Sequence, residues 1–253
     1  MAARVAVVTG ASSGIGAATA RALAARGWRC VLVARRAERL RAVAEEVGGE
    51  FEICDVADRA AVERTAGAIA ERHPALGLLV NNAGIPGRAD FLTADPERIE
   101  AVVRVNYLGS VWMLRALLPA LEAGRPAHVV NVVSVAGAVA TGSSGPYSAS
   151  KHAQLAFSRS IVPALAARGI AVHTVLPGLV ETEGFPQRGQ LPPLVGRVVV
   201  EPEAVARAVV AAVERGRRET WVPRWYRAFA FAQAFAPGAV VRAGARALPR
   251  KPT

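Results

Sequence analysis

The run Arg4-Val5-Ala6-Val7-Val8-Thr9, broken by Gly10-Ala11-Ser12-Ser13-Gly14-Ile15-Gly16 and followed by an alanine-rich stretch to Arg26, constrains this chain more than any other segment. A short β-branched run favours a strand. The three glycines permit a turn and a close backbone approach that a Cβ would obstruct, and the alanine-rich stretch reads as a helix closed by Gly27. Strand, glycine turn and helix, in that order, direct backbone N–H groups and a helix N-terminus at one point, which suits a pyrophosphate. The spacing is Gly-x-x-x-Gly-x-Gly and not the Gly-x-Gly-x-x-Gly of the dinucleotide fingerprint. Taken alone, the loop also serves any tight strand-to-helix turn.

The alternation continues to residue 222. Short apolar runs at 5–9, 30–34, 51–54, 78–81, 128–134, 170–176 and 219–222 alternate with amphipathic stretches, among them a helix read over 96–118. This is the pattern of parallel strands joined by crossover helices. The run Val129-Val130-Asn131-Val132-Val133 fits a strand covered on both faces. Right-handed crossovers then build an α/β, doubly wound parallel sheet whose ligand crevice lies beyond the carboxyl ends of its strands. With 253 residues, 52% of them apolar, and no repeat or low-complexity linker, one domain is the simpler reading. Residues 1–222 form the sheet domain, and 223–253 form an extension.

A second feature carries chemistry. Only two of the 31 basic residues are lysine, and Lys151 follows Tyr147 by four positions in Tyr147-Ser148-Ala149-Ser150-Lys151. In so arginine-biased a chain, lysine here points to a need for a compact ammonium. Four residues is about one helical turn, so both side chains share a helix face. The expectation is a cation that lowers the phenol pKa toward neutral pH and fits it for proton transfer; the plain alternative is a surface Tyr and Lys.

Together, Thr9-Gly10-Ala11-Ser12-Ser13-Gly14-Ile15-Gly16, Asn81-Asn82-Ala83-Gly84, Asn106, Ser134, Tyr147 with Lys151, and Pro177-Gly178 resemble the short-chain dehydrogenase/reductase family in order and spacing, including the thirteen-residue step from Ser134 to Tyr147. Three residues between the first glycines match its single-domain branch. The resemblance implies a Rossmann-like fold and a hydride transfer between a nicotinamide and a carbonyl or alcohol. It implies that Tyr147 is the acid/base and that Lys151 tunes it and binds the nicotinamide ribose. Ser134 would hydrogen-bond the substrate oxygen. Asn106 would hold a relay water, or serve a purely structural role as a buried polar group.

Cofactor choice follows from charge. The second strand ends in Ala34-Arg35-Arg36, where an NAD enzyme would offer a carboxylate to the ribose hydroxyls. Arg35 and Arg36, with Ser12 or Ser13, suit the 2′-phosphate of NADP, although relatives that prefer NADP often carry a basic residue at the place of Ser13. NADP(H) is expected over NAD(H). By resemblance, Gly10, Gly14, Ile15 and Gly16 take the pyrophosphate side, Asp55 and Val56 the adenine, and Asn81, Ala83 and Gly84 the next stretch of cofactor. Pro177, Gly178, Val180 and Thr182 approach the nicotinamide.

Phe185, Leu191 and Leu194 give the loop after Pro177-Gly178 an apolar character that points to a lipophilic substrate. Six aromatics lie between 221 and 235 among arginines. That segment packs over the pocket, meets a subunit, or rests on an anionic membrane as a peripheral contact. The +11 charge is spread over many elements, so no nucleic acid partner is expected. Cys30 and Cys54 read as buried free thiols, and the four histidines lack metal-ligand spacing, so no metal is expected. The sequence reads without a secretion signal and without an apolar stretch long enough to span a bilayer, giving a cytoplasmic enzyme; the resemblance implies a homo-oligomer, a dimer or tetramer. The competing class is a non-catalytic NADPH-binding sensor or scaffold.

Overall fold

A computed structural model describes residues 4–87, 90–140, 145–183, 196 and 198–247. Its strands are β1 (Val5–Thr9), β2 (Arg29–Ala34), β3 (Glu50–Ile53), β4 (Leu78–Asn81), β5 (Ala127–Val132), β6 (Ile170–Pro177) and β7 (Glu219–Val222). Its helices are α1 (Gly14–Ala24), α2 (Ala37–Val47), α3 (Arg59–Arg72), α4 (Pro96–Val103), α5 (Gly109–Ala123), α6 (Gly145–Ser160), α7 (Val162–Ala166), α8 (Pro202–Glu214), α9 (Tyr226–Phe235) and α10 (Pro237–Ala247). The strands form one sheet in the order β3-β2-β1-β4-β5-β6-β7, every neighbouring pair parallel. The reversal of strand order between β1 and β4 is the switch point where α/β sheets open a crevice.

The pleat sorts each strand onto two cores. Ala6, Val8, Leu32, Val80 and Val130 face α1, α2 and α8, where they meet Leu23, Leu40, Val43, Val205 and Val209. Val7, Val31, Val33, Leu79 and Val129 face α3 and α5 and meet Ile69, Met113, Leu117 and Leu121. Burying one such leucine stabilises the fold by roughly 1.5–3 kcal/mol. Cys30 and Cys54 are free and buried, and desolvation pushes the Cys30 thiol up to about 11.

The helix read over 96–118 differs in detail. It runs from Pro96 to Ala123 and is widened to a π turn at Arg104–Leu108. Pro119 lies inside α5 without ending it. Leu117 and Leu121 hold that turn in the core on either side of the proline, and Leu76 N–H donates to Ala120 O at 2.9 Å. This 28-residue run is long and apolar enough, by length and composition, to cross a membrane, which corrects the expectation that no such stretch existed. Its apolar side, Val102, Val105, Met113, Leu117 and Leu121, is buried in the protein, as in the core helix of a globular domain.

Candidate active site

The glycine loop leaves β1 with Gly10 at φ +68° and enters α1 with Gly14 at φ +53°, both in the left-handed region that favours glycine. A Cβ on Gly16 would lie 2.3 Å from Gly10 O, so the turn closes only with glycine there. Asn82 fixes this loop to β4: its Nδ2 donates to Thr9 O at 2.9 Å, and Thr9 Oγ1 accepts from Asn82 N and Ala83 N at 3.0 Å each. Ser13 is the N-cap of α1, yet its hydroxyl makes no cap bond, and the first turn holds no acidic residue. The N-terminal N–H groups of α1 therefore keep the capacity to receive an anion.

Beside this helix start lies a cluster of donors. Arg36 donates to Ser12 Oγ at 3.2 and 3.1 Å and also to the Ser13 hydroxyl. Arg35 turns instead toward Asp55, at 3.4 Å. Glu183 reaches across to pair with Arg36 at 3.2 Å and with Arg39, and these guanidiniums hold its carboxyl below the usual glutamate value. Thr182 sits over the loop: a Cβ on Gly14 would meet Thr182 Cγ2 at 3.1 Å.

Ser134 lies two residues beyond β5, where its Oγ accepts from Ala136 N at 3.1 Å and donates to Pro177 O at 3.4 Å. It is also a hydrogen-bond partner of the Tyr147 hydroxyl, from the first turn of α6. One turn on, the buried Lys151 Nζ lies 5.8 Å from the Tyr147 ring centroid. The ammonium donates to Gln154 Oε1 at 2.7 Å and to Val132 O at 3.3 Å, and Gln154 Nε2 donates to Ser110 Oγ at 2.9 Å. Asn106, in the π turn, accepts from Ile85 N at 2.8 Å and donates to Ile85 O and Ser150 Oγ, each at 3.1 Å. Gly84 lies between Asn106 and Lys151: a Cβ there would be 3.3 Å from Asn106 Oδ1 and 3.7 Å from Lys151 Nζ.

The electrostatics correct one expectation. Burial pushes the Tyr147 hydroxyl above its ordinary value, and the Ser134 hydrogen bond opposes this only in part. Burial also lowers Lys151, to about 7. Each charged form loses hydration, and the lysine's hydrogen bonds go to neutral oxygens. The phenol is thus held protonated beside an amine that titrates near neutral pH, and is not acidified by a permanent cation.

The family profile described as short chain dehydrogenase matches residues 4–190. The chain belongs to the short-chain dehydrogenase family. Members act on CH–OH and C=O groups. An uncharacterised oxidoreductase of Mycobacterium tuberculosis is 44% identical over 180 residues, which are 71% of this chain and 70% of that one. A short chain dehydrogenase from Burkholderia cenocepacia, solved in complex with NADP, superposes with a TM-score of 0.81 at 32% identity and covers 97% of this chain and 98% of its own. A single-substitution variant of actinorhodin polyketide ketoreductase, solved with NADPH, superposes with a TM-score of 0.79 at 31% identity, covering 87% of this chain and 97% of its own.

In this short-chain dehydrogenase, Gly10, Ser12, Ser13, Gly14, Ile15, Gly16, Ala83, Gly84, Ser134, Tyr147, Lys151 and Thr182 fall at the carboxyl end of the sheet. Other positions have different surroundings. The Asn81 side chain turns into the core, donating to Asn131 Oδ1 at 2.9 Å, and the chain of bonds continues to Ser158 and Thr174. Val180 is buried in the core on the α1 and α8 side, and Val56 fills the space against Gly109. Pro177 ends β6, and Gly178 lies beneath the Tyr226 ring. Asp55 accepts from Ala57 N at 2.9 Å. Phe185, Leu191 and Leu194 lie outside the described residues. Two contributors went unassigned from sequence: Asn82, whose only sign was its place in the Asn-Asn doublet, and Gln154, three positions after Lys151.

Proposed function

We propose that this chain is an NADP(H)-dependent oxidoreductase that transfers hydride between a nicotinamide and a carbonyl or secondary alcohol of a lipophilic small molecule. The observation that carries this reading is the meeting of Ser134, Tyr147 and Lys151 at the same end of the sheet as the glycine loop. The uncapped start of α1, with a loop that only glycine can form, supports a pyrophosphate there. The cluster of Arg36, Ser12 and Ser13, with Arg35 beside Asp55, supports a 2′-phosphate and ribose at the end of β2. The ketoreductase with NADPH and the dehydrogenase with NADP agree with this preference.

When bound, the nicotinamide supplies the hydride. Tyr147, whose raised pKa keeps Oη protonated at neutral pH, delivers the balancing proton to the carbonyl oxygen. Ser134 steadies the charge that develops on that oxygen. Lys151, poised near neutrality, holds a proton in reserve close to Tyr147 and is oriented by Gln154. Asn106 anchors the Gly84–Ile85 segment beyond β4 to α6, which sets the distance between the two halves of the site. The reading extends to a catalytic unit over 1–222 with an extension over 223–253, and to a homo-oligomer working in the cytoplasm.

The test is a series of ketones and aldehydes of rising chain length, offered with NADPH or NADH and followed by nicotinamide absorbance. Consumption of NADPH that grows with substrate apolarity, with NADH at least about tenfold slower, is the expected result. NADPH binding without turnover of any carbonyl or alcohol would make the protein a sensor or scaffold instead.

A further inference from the structure

Helix α9 is built inside out. Its inward side is Tyr226, Ala230 and the polar Gln233, whose Oε1 is buried without a hydrogen-bond partner among the described residues. Its outward side carries Phe229, Phe231 and Phe235, exposed by 48, 51 and 85%, next to Trp225 at 45%. Ala228 and Ala232, also exposed, fill the space between the rings. A helix in water normally shows the reverse polarity, and a contiguous exposed apolar patch of this kind marks an interaction surface.

The charge says what covers it. After Glu219 the chain has no acidic residue, while Arg224, Arg227, Arg242, Arg246, Arg250 and Lys251 are all basic. Arg224, Arg227 and Arg242 are exposed, and the Arg227 guanidinium lies over the Phe231 ring at 5.3 Å. A two-fold contact between copies would set two such segments against each other with nothing to neutralise them. Apart from the arginines and the Trp225 indole N–H, the outward face offers only aromatic rings and alanine methyls, whereas protein interfaces carry about ten direct hydrogen bonds. Aromatic rings flanked by arginines suit the boundary of an anionic bilayer, with the rings at acyl depth and the guanidiniums among the headgroups.

We propose that α9 docks this protein peripherally on an anionic lipid bilayer. The helix is tied to the rim of the crevice. The Tyr226 ring packs so closely on Gly178 that a Cβ there would lie 2.1 Å from it, and Leu179 N–H donates to Tyr226 Oη at 3.4 Å. Docking through α9 therefore holds the segment that leads to Thr182 near the lipid, where an apolar substrate dissolves.

The experiment is co-sedimentation of the full chain with phosphatidylcholine vesicles, with and without phosphatidylglycerol, at low and high salt. Size-exclusion chromatography over a range of protein concentrations runs in parallel. Partitioning onto phosphatidylglycerol vesicles about tenfold or more above neutral vesicles, reversed by salt, is expected. Phe231→Ser with Phe235→Ser, and separately Arg227→Glu with Arg242→Glu, should each lower it at least about fivefold. These side chains are exposed, and NADPH binding and the melting temperature should stay unchanged, so the result is independent of turnover. Failure to sediment with anionic vesicles overturns the proposal, as does equal binding to both vesicle types. Dissociation of a dimer by either variant, with vesicle binding unaltered, would instead assign the face to a subunit contact.

Discussion

On the proposed NADP(H) reading, cofactor discrimination should turn on Arg36 more than on Arg35. The sequence put Arg35 first and Arg36 second. The structure separates them, because Arg36 folds back onto Ser12 and Ser13 while Arg35 leans to Asp55. A charge-assisted hydrogen bond contributes about 1.5–3 kcal/mol. Arg36→Ala should therefore weaken NADPH by roughly 10- to 100-fold and NADH by less than about threefold, read from dissociation constants by fluorescence. Lys151 gives a second prediction. Its folded pKa of about 7 lies below the ordinary 10.5, so between these values the unfolded chain binds more protons and stability climbs with pH. The gain reaches at most about 1.4 kcal/mol per pH unit, and below about 7 the buried ammonium destabilises the fold by its full amount. Melting curves of the unliganded protein should show this rise, and Lys151→Met should flatten it. Ser134, Tyr147 and Lys151 were pointed to by their resemblance in order and spacing to the family motifs. The direction in which the phenol is shifted was not legible, because it depends on burial and on the partners of Nζ, Val132 O and Gln154, which only the fold brings together.

At the scale of elements, strands were easier to read than helices. Each short apolar run became a strand with ends displaced by no more than two residues, and in the central strands two covered faces demand apolar residues throughout. The π turn at Arg104–Leu108 left no mark in the pattern. It places Asn106 against Ile85 and Ser150, contacts set by neighbours distant in sequence. Pro119 misled in the other direction, because core packing of Leu117 and Leu121 outweighs the helix-breaking tendency of proline. The joint between β6 and α9 is testable directly. Gly178→Ala forces a methyl into the Tyr226 ring, an overpacking that costs about 1–3 kcal/mol. In a chain of this size it should lower the melting temperature by about 2–10 °C. Adding Tyr226→Ala should remove the overlap, so the double variant should lose less than the sum of the two single changes.

For the whole molecule, topology was legible because alternating strand and helix signals with right-handed crossovers leave few arrangements. The matched family profile ends at residue 190, and the tail beyond Val222 has no counterpart in the motifs that identify the fold. Among the described residues, Tyr226 ties the tail down by packing with Val133, Leu155, Leu176 and Trp221 and against Gly178. A chain ended after Val222 should still bind NADPH but melt about 5–10 °C lower, since Tyr226 no longer covers Trp221 and Leu176. Scanning calorimetry with cofactor titration reads both quantities. The inward Gln233 and outward phenylalanines of α9 invert the usual solvent rule, which is why composition alone allowed several roles for this segment.

On the proposed mechanism, the proton of the reaction comes from Tyr147. The most direct measurement compares wild type with Tyr147→Phe for NADPH affinity and for carbonyl reduction in the same preparation. The variant should keep NADPH affinity within about threefold of wild type and lose turnover by at least about 100-fold, the range for a positioned general acid. Turnover that survives the loss of the hydroxyl would contradict that mechanism.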